Sequence, residues 1–129
     1  MTGVQTCALP ISGYVPHQWA ALEDAVQWIT AAGGVAVIAH PGRYGLVEHE
    51  AVRLLNEFKE FGGKGVEVLT GSHSQKDAMN FARLSLKCGL LASCGSDFHG
   101  ARESKCDLGE LPSLPDELAP IWQIGRAHV

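Results

Sequence analysis

"GGVAVIAHPGRYG", residues 33–45, starts on two glycines, runs through five apolar residues and then turns into His-Pro-Gly-Arg-Tyr-Gly. Val35 to Ala39 shows no alternation of apolar with polar residues. That is the pattern of a strand covered on both faces, and such strands belong to parallel sheets flanked by helices. Three of its residues are β-branched, which suits a pleated backbone. Gly33-Gly34 separates the run from what precedes it, and Pro41-Gly42 turns the chain into a loop. A residue before proline is steered towards extended geometry, so His40 is expected to continue the strand direction.

On the N-terminal side a helix is expected over 19–32. Trp19, Leu22, Ala25, Val26 and Ile29 share one face at steps of three and four. On the C-terminal side a second helix covers about 47–61, with Ala51, Leu54, Leu55 and Phe58 inward and Gly62-Gly63 at its end. "VEVL" (66–69) is a second strand. Ser74 and Asp77 have capping-box spacing. They open a helix that runs to about Lys87, with Ala78, Phe81, Ala82 and Ser85 on one side and Gly89 closing it. "LLASC" (90–94) is a third strand. Helix and strand alternate three times, which predicts an α/β fold of parallel strands joined by right-handed crossovers. After Ser96 the chain becomes polar and proline-spaced, "LPSLPDELAP" at 111–120, and an irregular surface tail is expected. There are no internal repeats.

All three strands end in residues capable of chemistry: His40 after the first, Ser72 and His73 after the second, Asp97 and His99 after the third. Parallel α/β sheets gather their sites at the carboxyl ends of the strands. In an extended segment, residues two apart face the same side, so Asp97 and His99 can face one ion while Phe98 packs away. A carboxylate with a neutral imidazole suits zinc, manganese or iron. The plainer alternative has Asp97 capping the turn and His99 exposed. His40 is either a ligand or a hydrogen-bonded turn residue. Arg43 is either a planar cation that grips a phosphate or a solvated loop residue. His73 stands at a helix N-terminus, where anions bind, or simply belongs to the helix start. Glu67 faces opposite to Val66 and Val68, towards a polar interior as an outer-shell or base candidate, or towards water. Cys94 is read as a small buried strand residue, His17 and His49 as surface residues. No P-loop, GxSxG elbow or GxGxxG turn is present.

The 129 residues suffice for one small domain, with 46% hydrophobic and 19% charged residues and a formal net charge of −4. No basic surface for a long nucleic-acid track is indicated. No apolar run approaches the roughly 18 residues of a membrane helix. The cysteines Cys7, Cys88, Cys94 and Cys106 form no CxxC pair, which points to a reducing, cytoplasmic compartment.

The two ends carry no structural pattern. "TCALPI" can be encoded as ACG TGT GCT CTT CCG ATC. The reverse complement of that string, read one base out of frame, gives Ile-Gly-Arg-Ala-His-Val, the last six residues. Residues 1–12 and 124–129 are therefore read as scars of one sequencing adapter, outside the fold, and 13–123 as the natural part, a fragment of a longer protein. On that reading Cys7, Arg126 and His128 carry no function.

"GGVAVIAHPGRY", "GVEVLTGSH" and "LLASCGSDFHG", in that order and spacing, resemble the PHP (polymerase and histidinol phosphatase) superfamily, in its ribonuclease AM and nucleoside-3′,5′-bisphosphate phosphatase branch. The likeness spans about Gly33 to Trp122 and corresponds to the C-terminal portion of such a protein. It implies part of a distorted (β/α)7 barrel with divalent ions, often manganese, with zinc or iron as alternatives. His40, Asp97 and His99 match metal-binding positions of the family, and Arg43, Ser72 and His73 lie in loops that resemble its substrate-binding ones. The family's opening His-x-His motif has no counterpart in this chain. The resemblance implies metal-dependent hydrolysis of a nucleotide phosphate ester or of the 5′ end of short RNA, with histidinol-phosphate hydrolysis or a polymerase-associated exonuclease as rivals. A third possibility is a non-catalytic fragment with unpaired edge strands. By itself the chain is expected to be weak or inactive.

Overall fold

The computed structural model describes Pro16 and residues 18–126, with side chains through Gln123. The reading of residues 1–12 as a scar lies outside the described residues, as do His17 and residues 127–129.

The elements are α1 (Leu22–Ala31), β1 (Val37–Ile38), α2 (Glu48–Glu60), β2 (Gly65–Thr70), α3 (Gln75–Cys88) and β3 (Leu91–Gly95). Short 3-10 turns cover Pro41–Tyr44 and Ile121–Arg126. The sheet order is β1-β2-β3, and both pairs are parallel. Strands that step in one direction through right-handed crossovers place their helices on one face, as in a barrel wall. Val66 and Val68 of β2 are fully buried and share one core with Leu55 and Phe58 of α2 and Phe81 and Leu84 of α3. Glu67 between them points the other way. The ladder slips at this point: Glu67 pairs with Ser93 but Leu69 with Cys94, an extra residue of the kind that bends a strand and re-aims its side chains.

The expected capping box is present. Asp77 N–H donates to Ser74 Oγ at 3.1 Å, and Ser74 N–H donates back to the Asp77 carboxylate at 2.9 Å. The hydroxyl and then the N–H of Ser74 hold the Asp77 carboxyl below the usual carboxylate range. A carboxyl depressed on folding stabilises above its unfolded pKa of about 3.9, and that contribution is lost as pH falls through the lower folded value. Ser74→Ala in the full-length protein should therefore cost about 1 kcal/mol at neutral pH. The share that depends on Asp77's charge should vanish in acid. Urea midpoints from pH 7 (about neutral) down to pH ~2.5 check this, and a deficit that stayed constant with pH would contradict it.

Three expectations need correction. The face formed by Trp19, Leu22, Ala25, Val26 and Ile29 is not closed. Only Val26 is buried, while Trp19 is 56% and Ile29 41% exposed. These residues instead line a trough of about 750 Å³ between α1, β1 and α2, with Val37, Leu54 and Phe58 on its other walls. The first strand is two residues long rather than five, since β2 alone pairs with it among the described residues. The tail is not wholly superficial. Leu118 enters the core, Ala92 N–H donates to the Ala119 carbonyl at 2.9 Å, and Pro120 forms a parallel bridge to Ala92. The tail thus covers the outer edge of β3. Among the described residues no helix is long and apolar enough to cross a membrane.

Candidate functional site at the carboxyl rim of the sheet

His40 leaves β1 in left-handed backbone geometry, φ 32°, ψ 54°, not the extended form expected before proline. Non-glycine residues enter this region at a cost of about 1–2 kcal/mol. Several bonds hold the loop there. His40 N–H donates to Glu67 Oε2 at 2.7 Å, and Arg43 N–H donates to the His40 carbonyl at 3.0 Å. Tyr44 Oη donates to the Ala39 carbonyl at 2.7 Å, and the Tyr44 ring meets the His40 ring edge-on. His40 Nδ1 is buried without a hydrogen-bond partner. Buried polar atoms are rarely orphaned, and leaving one so costs about 1–3 kcal/mol.

Asp97 also lies in the left-handed region, φ 54°. The Asp97–Phe98–His99 segment is therefore not extended, and its two ligand candidates do not meet by strand alternation. They meet because His99 folds back. Its Nδ1 stands 2.7 Å from the Asp97 carbonyl and 3.5 Å from Asp97 Oδ1. A carbonyl only accepts, so Nδ1 carries the proton and Nε2 keeps a lone pair for a ligand. Arg43 reaches the same carboxylate, with Nη1 3.7 Å from Asp97 Oδ2. His40, Arg43, Asp97 and His99 thus occupy one rim.

The three-ligand grip expected from the sequence is not closed. Among the described residues no group of three His, Cys, Asp or Glu side chains converges on one point. The donors themselves suit a divalent cation: the orphaned imidazole nitrogen of His40 and the carboxylate–imidazole pair of Asp97 and His99.

His73 takes a different part from the one its loop position suggested. Its Nε2 accepts from Gly42 N–H at 2.9 Å, and its Nδ1 donates to the Val68 carbonyl at 2.9 Å. Both ring nitrogens are committed to backbone, so none is left for a substrate. The ring stacks on Phe81. His73 ties the His40 loop to β2, and Gly42 permits the approach: a Cβ there would stand 2.8 Å from the His73 ring. Ser72 is half-buried, its Oγ 3.5 Å from Thr70 Oγ1.

Glu67 was a candidate without a partner in the sequence, and the structure supplies one and sets the carboxylate against β3. Oε2 takes the His40 N–H, and Oε1 lies over β3, 3.0 Å from where a Cβ on Gly95 would be. Burial pushes the Glu67 carboxyl up, against the pull of the His40 N–H. Burial and the Glu67 carboxylate push the Cys94 thiol up as well, the opposite direction from an activated cysteine nucleophile. His49 is exposed on α2, as expected. Tyr44 escaped notice at the sequence level, although its place three residues past a proline turn was a usable signal.

No family model matches the chain. It is 52% identical over 117 residues to the 3′,5′-nucleoside bisphosphate phosphatase of Chromobacterium violaceum, an alignment covering 91% of this chain and 41% of that protein. It is 39% identical over 116 residues to the 5′-3′ exoribonuclease Rnm of Escherichia coli, covering 88% and 38%. Its fold is similar to an amidohydrolase structure from Chromobacterium violaceum with bound sulfate and no metal, at TM-score 0.78 and 49% identity, over 89% of this chain and 39% of that one. The chain spans about two-fifths of the length of the curated relatives it matches, 41% and 38% in these two cases. A parallel α/β wall and relatives of this identity over about nine-tenths of the chain bear out its resemblance to the PHP family, beside the nucleoside bisphosphate phosphatases and the Rnm exoribonucleases.

Proposed function

We propose that the full-length protein carrying this chain is a divalent-metal-dependent phosphoesterase acting on a nucleoside 3′,5′-bisphosphate or on the 5′ end of short RNA. The observation that carries this reading is the meeting of Arg43 with the Asp97–His99 pair at one strand rim. The names of the relatives support the substrate class. His40, Asp97 and His99 would hold the ion, manganese before zinc or iron. When bound, it supplies Lewis acidity towards a phosphoryl oxygen. Arg43 is the cation for a second phosphate oxygen, its side chain 30% exposed and so within reach of a ligand. Asp97 fixes the His99 tautomer through its carbonyl and orients Arg43 through its carboxylate. Such a site grips one phosphate without a basic track, in keeping with the net charge of −4. We place the protein in the cytoplasm, where Cys88, Cys94 and Cys106 remain thiols.

The test is phosphate release by the full-length protein from a nucleoside 3′,5′-bisphosphate and from a 5′-phosphorylated oligoribonucleotide, with Mn2+ and then with a chelator. Release that requires Mn2+ on at least one substrate is expected, with little turnover by the 129-residue chain alone. Turnover that survives chelation, or inactivity on both while histidinol phosphate is hydrolysed, would reject this reading.

A further inference from the structure

Glu67 lies opposite two fully buried valines, on a strand whose register slips beside it. A carboxylate in that position is costly to desolvate, and its neighbours explain what it does there. Oε2 receives the His40 N–H at 2.7 Å, the short distance of a charge-assisted bond. His40 is the residue whose backbone is left-handed and whose Nδ1 is buried and orphaned. Without an acceptor at Oε2, the His40 N–H would also lose its partner, and the Tyr44 bond to the Ala39 carbonyl would be left to hold that peptide against return to the extended geometry that proline favours. Oε1 meanwhile stands over Gly95, two residues before Asp97. One side chain on the middle strand therefore bonds the end of β1 and lies close over the end of β3, and those two ends carry the two halves of the ligand set.

We propose that Glu67 is a positioning residue: its carboxylate holds His40 in the left-handed turn and spaces the ends of β1 and β3, so that the affinity of the rim for a divalent cation depends on it. This rests on the phosphoesterase reading for the identity of the ligand, but not for the geometry. It assigns Glu67 no proton transfer. The geometry needs an acceptor of the right length at position 67, and a glutamine carbonyl oxygen meets that need.

The experiment compares Glu67→Ala and Glu67→Gln with wild type in the full-length protein. Mn2+ affinity is read by calorimetry, and the His40 amide proton by NMR without metal. Glu67→Ala should weaken Mn2+ binding by about 10–100-fold, the range for losing a residue that orients a ligand. It should also move the His40 amide upfield. Glu67→Gln should restore most of the affinity and keep the amide downfield. A Glu67→Ala protein with unchanged Mn2+ affinity, or with an unmoved His40 amide, would overturn the proposal. So would a Glu67→Gln protein that bound Mn2+ normally yet turned over as poorly as Glu67→Ala, since that is the behaviour of a base. If wild type bound no Mn2+, the phosphoesterase reading would fail, and the amide shift would still decide whether Glu67 holds His40.

Discussion

Asp97→Asn in the full-length protein should lower phosphate release by about 10²–10³-fold, the loss typical of removing one charged group preorganised for a transition state. The substitution isolates charge from shape. Asn tolerates left-handed backbone as Asp does, so φ 54° is retained without new strain. The backbone carbonyl that fixes the His99 tautomer is untouched. Only the negative charge facing Arg43 and His99 goes. Alanine would add about 1–2 kcal/mol of backbone cost and confuse the two effects. The side chain is 17% exposed and its ion-pair partners, Arg43 at 3.7 Å and His99 at 3.5 Å, are themselves part-exposed, so the loss of stability should stay within about 1 kcal/mol by urea midpoint. A rate within threefold (about 0.7 kcal/mol) of wild type would remove Asp97 from the catalytic site.

The largest stability effect is expected at Leu84. It lies on α3 at 0% exposure, in the core shared with Val66, Val68 and Leu55. Leu84→Ala should cost about 2–5 kcal/mol, the transfer term plus the cavity left behind. Leu84→Met, which nearly conserves volume, should cost less than about 1.5 kcal/mol. Both should appear as shifts of the urea midpoint at constant slope. At temperatures where the alanine variant stays folded, its KM should be unchanged, because Leu84 packs on the helix side of the sheet and the rim lies beyond the strand ends. A loss below about 1 kcal/mol would mean that α3 is not pinned through this residue.

Much of this architecture could be read before any coordinates. The apolar runs located β2 and β3 to within a residue, and Ser74 with Asp77 located the start of α3, because burial on both faces and helix capping are local demands written into adjacent residues. The rim was legible as a set of positions: His40, Arg43, Asp97 and His99 do gather at one edge. Their conformations were not legible. His40 before Pro41 argued for extended backbone, and a side chain 27 residues away overrides that preference. Asp97 and His99 argued for strand alternation, and a left-handed turn brings them together by another route. His73 resembled a loop residue open to ligand because nothing in the sequence reveals that Gly42 and Val68 use both its nitrogens. The apolar face of α1 was recognised correctly as apolar; what covers it is not a matter of local pattern.

That uncovered face has a practical meaning for anyone preparing the chain in isolation. A greasy channel alongside β1, with its outer main-chain groups unpaired among the described residues, is a template on which further copies can add as strands. Lysine at Val35, which is exposed just ahead of β1 and distant from the rim, is the kind of gatekeeper that natural sheets place at such borders. Solubility could thus be engineered at one end of the first strand without disturbing the chemistry assembled at the other.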